Sequence, residues 1–199
     1  DHCDDADTLH NIFDVCKEFG TEDNFNEITS TSKITFPGAG ISAIAASPKN
    51  IAMIKDRLKS QTISYDKMNQ LRHVKYFKNA DGIKAHMKKH AKLLAPKFNI
   101  VLETLEKELK DNDLASWSSP KGGYFISLDV NHCSAKRVGE ICKELGVVLT
   151  TVGATFPYGI DPDDRNIRIA PSYPSTDELQ KAADILCLAV KLATIEALV

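Results

Sequence analysis

The stretch Ser30-Thr31-Ser32-Lys33-Ile34-Thr35-Phe36-Pro37-Gly38-Ala39-Gly40 places one lysine between a hydroxyl-rich strand end and a run of apolar and small residues. Almost all of the other nineteen lysines lie on polar faces of predicted helices. Among apolar neighbours a lysine loses hydration, which lowers its pKa and favours the free amine. A free amine can condense with an aldehyde, while hydroxyls and glycine N–H groups can hold a phosphate. These residues predict a site for pyridoxal 5'-phosphate (PLP) at Lys33.

A second interpretation of the same residues stays open. Lys33 could be a strand-end lysine whose stem packs while its amine stays in water. Ser30 and Ser32 would then be ordinary serines at the end of a strand.

Composition is that of an ordinary globular protein, with 199 residues, 43% hydrophobic and 26% charged. The five cysteines are widely spaced and form no C-x-x-C pair, which predicts reduced thiols in a cytoplasmic protein. The apolar C-terminal stretch is interrupted by Asp184, Lys191 and Glu196, so it predicts a packed helix and no membrane span.

Charge is unevenly distributed along the chain. Residues 1–30 carry −8, residues 49–97 carry +10 and residues 98–199 carry −5. Such blocks pair with each other or with a partner subunit, and a basic block can also bind nucleic acid. The basic block lacks interleaved aromatic residues and follows the polar sides of predicted helices, so we do not expect nucleic-acid binding.

Apolar periodicity and turn residues predict an α/β protein that ends in a compact α+β domain. The predicted helices span residues 5–20, 47–60, 66–77, 81–110, 134–145 and 176–198. The predicted strands span residues 25–30, 41–46, 124–130, 147–152 and 166–170. We expect the strand over 41–46 to be buried and Pro96 to kink the long helix.

Two clusters contain residue types that bind metals. His86 and His90 have i, i+4 spacing, but two lysines lie between them and no third ligand is near in sequence. A second cluster opens the chain, with His2, Cys3, Asp4 and Asp7. We interpret the first as a solvated helix face and the second as a fraying end, and we expect no metal site.

Several motifs follow the order and spacing of a fold-type I PLP-dependent aminotransferase. They are Ser30-Thr31-Ser32-Lys33, Gly122 to Asp129, Gly146 to Thr150, Gly153 to Phe156, and Asn166-Ile167-Arg168-Ile169-Ala170-Pro171. The chain resembles this family, and most of all a bacterial branch of MocR-type or alanine–glyoxylate aminotransferases that are similar to aspartate aminotransferases. The resemblance covers nearly the whole chain but only the C-terminal half of the family's domain.

The resemblance implies that residues 1–75 form the end of the PLP-binding large domain and residues 76–199 the complete small domain. The family's pyridinium-binding aspartate, its tyrosine near the cofactor, its stacking aromatic residue and its glycine-rich phosphate turn all precede the lysine. We expect them in a missing N-terminal half, and we expect the isolated chain to be inactive. Family members are typically homodimers.

The resemblance also implies site residues. Lys33 is similar to the Schiff-base lysine, and Ser30 and Ser32 to phosphate-binding hydroxyls. Many relatives have an arginine eight residues after the lysine, where this chain has Ile41, so N–H groups of the glycine segment that ends at Gly40 would replace that charge or another segment would supply it.

Arg168 resembles the arginine that binds the substrate α-carboxylate, with Ile167 and Ile169 facing the core on the opposite side of the strand. Arg165, in an acidic turn, is expected to be a surface ion-pair partner. Three further residues, Tyr65, Lys67 and Asn69, are candidates for contacts with the active site of a neighbouring subunit.

Two function classes follow from the resemblance. The first is transamination between an amino acid and a 2-oxo acid, with L-aspartate and 2-oxoglutarate as the expected pair. The second is a PLP-sensing effector domain of a MocR-type transcription regulator. A lyase or decarboxylase on the same fold is a further option among enzymes.

Overall fold

The computed structural model describes residues 10–199, and these divide into two compact units, residues 10–90 and residues 91–199. The predicted boundary between large-domain and small-domain parts, at residues 75 and 76, lies inside a helix that spans Lys67–Phe77. That assignment of domains stays a prediction.

The first unit contains a two-stranded antiparallel sheet and three helices before the chain enters a long fourth helix. Its helices are α1 (Ile12–Glu18), α2 (Pro48–Gln61) and α3 (Lys67–Phe77), and its strands are β1 (Asn26–Ser30) and β2 (Ser42–Ala46). Side-chain caps fix where two of the helices begin, because Ser47 accepts a hydrogen bond from the Asn50 N–H and Asp66 accepts one from the Asn69 N–H. These elements confirm the predicted order in this part of the chain.

Strand β2 is exposed, so the prediction of a buried strand was wrong for the described chain. Residues 42–45 are exposed, as is all of β1. Ile28 of β1 pairs with Ile44 of β2 and both remain accessible to solvent. The apolar sequence is suited to burial, but a two-stranded sheet supplies few neighbours that could cover it.

The second unit is built around a three-stranded antiparallel sheet in the order β3-β4-β5. The long helix α4 (Ala80–Leu109) leads into it, followed by β3 (Ala115–Trp117), β4 (Ile126–Val130), α5 (Ala135–Glu144), β5 (Asn166–Ile169) and α6 (Thr176–Leu198). Alternate residues of β4 and β5 enter a core shared with α4, α5 and α6, among them Phe98, Leu105, Leu128, Val138, Ile167 and Val190. This arrangement confirms the predicted α+β class.

In the second unit one strand prediction was wrong and one strand was missed. Residues 147–152 do not form a strand in the described chain, although Val147 and Leu149 pack against the core while Val148 is 86% exposed. The segment therefore has the alternation of a strand without a ladder partner. Strand β3 was not predicted, because three residues are too few to show a period of two.

Burial keeps the Cys142 and Cys187 thiols protonated, since it raises the pKa of Cys142 to about 11 and that of Cys187 to about 12. Cys16, Cys133, Cys142 and Cys187 are all free. Within residues 10–199, every helix is too short or too polar to cross a bilayer.

Leu128 tests the core of the second unit, because its side chain is completely buried in β4. We expect Leu128→Ala to lower the free energy of unfolding by about 2–5 kcal/mol, since a cavity replaces the lost contacts. Leu128→Met keeps the volume and should cost less than about 1.5 kcal/mol. Urea unfolding of the three proteins measures both values, and equal stabilities for the two variants would contradict the assignment.

Candidate functional site

Lys33 lies in the loop that joins β1 to β2, residues 31–41, which we term the lysine loop. Its two ends are tied together: the Thr31 N–H donates to the Ile41 carbonyl, and the Ile41 N–H donates to Thr31 Oγ1, each at 2.8 Å. The N–H groups of Ile34 and Thr35 both donate to the Thr31 carbonyl at 2.9 Å. Thr31 therefore holds both the neck of the loop and the turn that carries Lys33.

Two serine hydroxyls lie beside this turn. Ser30 Oγ and Ser32 Oγ are 2.7 Å apart, and the Ser32 N–H donates to Ser30 Oγ at 3.2 Å. Gly40 approaches them closely, because a Cβ atom on Gly40 would lie 2.4 Å from Ser32 Oγ and 3.0 Å from Ser32 Cα. Only glycine leaves the loop this shape. The structure thus brings Ser30, Ser32 and Gly40 together next to Lys33.

Lys33 itself is exposed, so the expectation that Ile34 and Phe36 bury it was wrong for the described residues. Phe36 instead packs against α3, with its ring centroid 5.1 Å from that of His73 and 5.4 Å from that of Phe77. Phe36 therefore faces the helix, and the lysine stays at the surface of this unit.

A buried polar pair connects the loop to α3. Thr35 is 4% exposed and His73 is 7% exposed, with Thr35 Oγ1 and His73 Nε2 2.8 Å apart. The Asn69 side-chain amide donates to the Ala39 carbonyl at 2.8 Å. From the sequence, no role was assigned to Thr35 or His73. The i, i+4 spacing of Asn69 and His73 does indicate that both lie on one face of the helix.

The three candidates for cross-subunit contacts have different surroundings. Asn69 is half-buried against the lysine loop, whereas Tyr65 and Lys67 are exposed. Tyr65 and Asn69 also line a cavity of about 470 Å³ between β2, α2 and the start of α3. Its other walls are mainly apolar and include Ile41, Ile44, Ile51, Ile54 and Leu58. Sequence reasoning did not foresee this cavity, because its walls come from three separate elements.

Arg168 lies on β5 in the second unit, opposite Ser127 of β4. Its neighbours Ile167 and Ile169 are 0% and 7% exposed, as predicted, and Arg168 is half-buried on the other face. The guanidinium carbon lies 4.6 Å from the centroid of the Phe125 ring. Arg168 Nε is buried and has no hydrogen-bond acceptor among the described residues. A cation with an unused donor is suited to bind a carboxylate.

Asn166 fixes the strand on which Arg168 lies. Its side-chain amide donates to Ser127 Oγ at 2.8 Å and to Asp129 Oδ1 at 2.9 Å. Its Oδ1 accepts a hydrogen bond from the Thr155 hydroxyl at 2.8 Å. Asn166 therefore joins β5, β4 and the loop before β5, which gives a structural reason for an asparagine two residues before the arginine.

Asp161 holds the turn that leads into β5. Its Oδ2 accepts the backbone N–H groups of Asn166 and Arg165, each at 2.8 Å, and its Oδ1 accepts that of Asp163 at 3.1 Å. The bond from Asn166 is the main cause that lowers the pKa of the Asp161 carboxyl. The ionised carboxylate is thus part of the support for the arginine strand.

Arg165 differs from its predicted role as a surface ion-pair partner. Its Nε donates to the Val130 carbonyl and its Nη2 to Asn131 Oδ1, both at 2.9 Å. Both partners are neutral oxygens, one on β4 and one just after it. Arg165 therefore ties the start of β5 to the end of β4.

Of the two clusters of possible metal ligands, the structure describes only the one on α4. His86 Nε2 and His90 Nε2 are 3.0 Å apart, but no group of three or more candidate ligands occurs among residues 10–199. The cluster of His2, Cys3, Asp4 and Asp7 lies outside the described residues.

A family model described as aspartate amino-transferase matches residues 1–199. The aspartate aminotransferase of Corynebacterium glutamicum is 45% identical over 177 residues, which make up 89% of this chain and 41% of that protein. The solved structure of an aspartate transaminase from the same species has a TM-score of 0.88 at 42% identity, and the match covers 98% of this chain and 46% of that one.

A more distant solved structure shows the same fold. The α-aminoadipate aminotransferase of Thermus thermophilus, solved in complex with N-(5'-phosphopyridoxyl)-L-leucine, has a TM-score of 0.76 at 19% identity over 98% of this chain and 48% of that one. This chain therefore spans less than half the length of the relatives described here. These relatives are aminotransferases and do not favour the regulator alternative, while the MocR-type branch stays a prediction.

The depressed pKa of Asp161 predicts a pH-dependent contribution to stability. A carboxyl whose pKa is lower in the folded state stabilises the fold above its unfolded pKa, and this contribution is lost as the pH falls through the folded pKa. We expect Asp161→Asn to unfold more easily than the unsubstituted protein at neutral pH, with the difference narrowing below about pH 4. Urea unfolding across this range measures it, with Asp163→Asn as the control. A difference that stays constant with pH would contradict the role of the Asp161 charge.

Proposed function

The chain belongs to the aspartate amino-transferase family, and we propose that the intact protein is a PLP-dependent aminotransferase, which exchanges an amino group between an amino acid and a 2-oxo acid. The observation that carries this proposal is the lysine loop. An accessible lysine at its turn lies beside a pair of serine hydroxyls and a glycine that no other residue can replace without displacing Ser32. This combination provides an amine for an aldehyde and donors for a phosphate.

The lysine-loop residues fit PLP in the following roles. Lys33 Nζ would hold the cofactor through its aldehyde and, once released, would move the proton of the substrate α-carbon. The hydroxyls of Ser30 and Ser32 would donate to the phosphate, and Gly40 leaves the space that a Cβ atom would fill. When bound, PLP supplies the electron sink for breaking the bond at the substrate α-carbon.

The phosphate site is only partly formed by these residues. Ile41 is apolar where many relatives have arginine, so in this chain the hydroxyls and glycine N–H groups replace that charge or another segment supplies it. The groups that bind the pyridine nitrogen and stack on the ring belong, in our proposal, to the part of the intact protein outside this chain. For that reason we propose that the isolated chain does not catalyse transamination.

Arg168 is proposed to bind the α-carboxylate of both substrates. Its guanidinium can form two parallel hydrogen bonds with a carboxylate, which fixes the orientation of the substrate. The buried Nε without an acceptor among the described residues supports this role, because a bound carboxylate would supply the missing partner.

L-Aspartate and 2-oxoglutarate are the proposed substrates. The support is the naming of relatives at 45% and 42% identity as an aspartate aminotransferase and an aspartate transaminase. We further propose a cytoplasmic homodimer in which Tyr65, Lys67 and Asn69 lie close to the neighbouring active site. Exchange between these two substrates by the intact protein, followed by coupled assay, tests the pair directly.

The lysine assignment predicts one site of covalent attachment. Borohydride treatment of the intact protein with PLP should add the mass of one reduced cofactor, and peptide mapping should place it on Lys33, because reduction makes the lysine–aldehyde bond permanent. Lys33→Arg should abolish the added mass and the activity. Lys49→Arg is the control, since Lys49 is an exposed lysine that pairs with Asp23 on the same unit. Attachment that persists in Lys33→Arg would overturn the proposal.

The arginine assignment predicts a loss of substrate binding. Arg168→Lys keeps the charge but cannot form two parallel bonds, so kcat/KM should fall by about tenfold to a hundredfold for both the amino acid and the 2-oxo acid. Arg165→Lys is the matched control and should change kcat/KM by less than about threefold, because Arg165 bonds to β4 and Asn131. Steady-state kinetics with both substrates distinguish the two arginines, and equal losses would argue against Arg168.

A further inference from the structure

We propose that Thr35 and His73 are positioning residues that hold the lysine loop in its cofactor-binding shape by acting through Thr31. The inference rests on the proposed function, in which Lys33 carries PLP. Neither residue is itself placed in contact with the cofactor. Their contribution is to fix the backbone from which Lys33 and Ser32 extend.

The direction of the hydrogen bonds in this pair follows from the partners. His73 Nδ1 lies 2.9 Å from the Asn69 backbone carbonyl, which can only accept, so Nδ1 carries the hydrogen. In the neutral ring Nε2 then accepts, and the Thr35 hydroxyl donates to it at 2.8 Å. The Thr35 hydroxyl also lies 3.2 Å from the Thr31 carbonyl oxygen and 3.0 Å from Thr31 Oγ1, so its one hydrogen is shared between Thr31 and the nearer imidazole.

The bond from Thr35 also sets the role of Thr31. The Thr35 and Thr31 hydroxyl oxygens lie 3.0 Å apart, with Thr35 on the donor side, and Thr31 Oγ1 accepts the Ile41 N–H at 2.8 Å. A continuous line of hydrogen bonds therefore runs from Ile41 through Thr31 and Thr35 to His73 of α3. The neck of the lysine loop is fixed to the helix by this line.

Surrounding rings protect the line from water. Phe36 packs edge-on against His73, with ring centroids 5.1 Å apart, and the Phe77 ring lies 5.9 Å from His73 on the same helix. Both Thr35 and His73 are nearly inaccessible to solvent. A hydrogen bond in such surroundings is costly to break, because water cannot replace the lost partner.

Asn69 holds the opposite arm of the loop from the same helix. Its side-chain amide donates to the Ala39 carbonyl at 2.8 Å, directly before Gly40. Residues four apart lie on one face of a helix, so Asn69 and His73 reach the two arms of the loop together. The close approach of Gly40 to Ser32 depends on both arms being held, which links α3 to the geometry of the proposed phosphate hydroxyls.

The experiment compares variants of the intact protein in PLP affinity and in the pH midpoint of the visible absorbance of the lysine-bound cofactor. Thr35→Val removes the hydroxyl at nearly constant shape and should weaken PLP binding by about tenfold and shift the pH midpoint. Thr35→Ser restores the hydroxyl and should bring the affinity back to within about threefold. His73→Phe keeps a ring among the aromatic residues and should show the same loss of PLP affinity. It replaces Thr35→Val as the test if that variant does not fold.

Thr194→Val is the matched control for a purely structural effect. Thr194 lies in the second unit and is 6% exposed, and its hydroxyl donates to the Val190 carbonyl. We expect this variant to lower the melting temperature without changing PLP affinity or the pH midpoint.

The outcomes separate the inference from the proposed function. Unchanged affinity and pH midpoint in Thr35→Val or His73→Phe would overturn the positioning role, as would an equal loss in Thr194→Val. Borohydride trapping on the unsubstituted protein is measured alongside. No cofactor mass on Lys33 there would overturn the proposed function, and the positioning role would fall with it. Trapping on Lys33 together with unaffected variants would overturn the positioning role alone.

Discussion

The geometry around Lys33 depends on the pair of hydrogen bonds between Thr31 and Ile41. They close the lysine loop at its neck, while the Thr31 carbonyl accepts two further N–H groups from the turn that carries Lys33. With the neck closed, Gly40 comes so near Ser32 that no Cβ fits between them. One threonine thus sets the relative positions of the lysine, the serine hydroxyls and the glycine.

In the second unit, strand pairing and polar side chains hold Arg168 in place. Arg168 must present a charge at the surface of a strand whose other face is core, and antiparallel pairing with β4 gives that alternation without further help. The end of the strand is fixed by Asn166 and Asp161, whose side chains use nearby backbone and hydroxyl groups. In both units a side chain with a proposed function depends on polar neighbours to which we assign no direct part in binding.

The sequence predicted those parts of the molecule that depend on neighbours along the chain. Helices with a capping serine or aspartate began where expected, and the alternation around Arg168 placed Ile167 and Ile169 correctly in the core. Predictions that required a partner from a distant element were less successful. The strand over 147–152 has no ladder partner in the described chain, and the bond between Thr35 and His73 joins residues 38 positions apart. Local periodicity shows neither whether a segment has a ladder partner nor which distant residue a buried hydroxyl will bind.

Lys33 is exposed in the described chain. A nucleophilic lysine depends on desolvation or on neighbouring charge to favour its free amine. In the described residues Phe36 packs on α3 and Lys33 is exposed, so the apolar residues of the loop do not provide that covering. Strands β1 and β2 are also uncovered, with Ile28 72% exposed. The relatives described here are more than twice as long as the matched region. Under the proposed function, the covering that Lys33 needs would come from a part of the intact protein outside this chain, from a second subunit or from the cofactor.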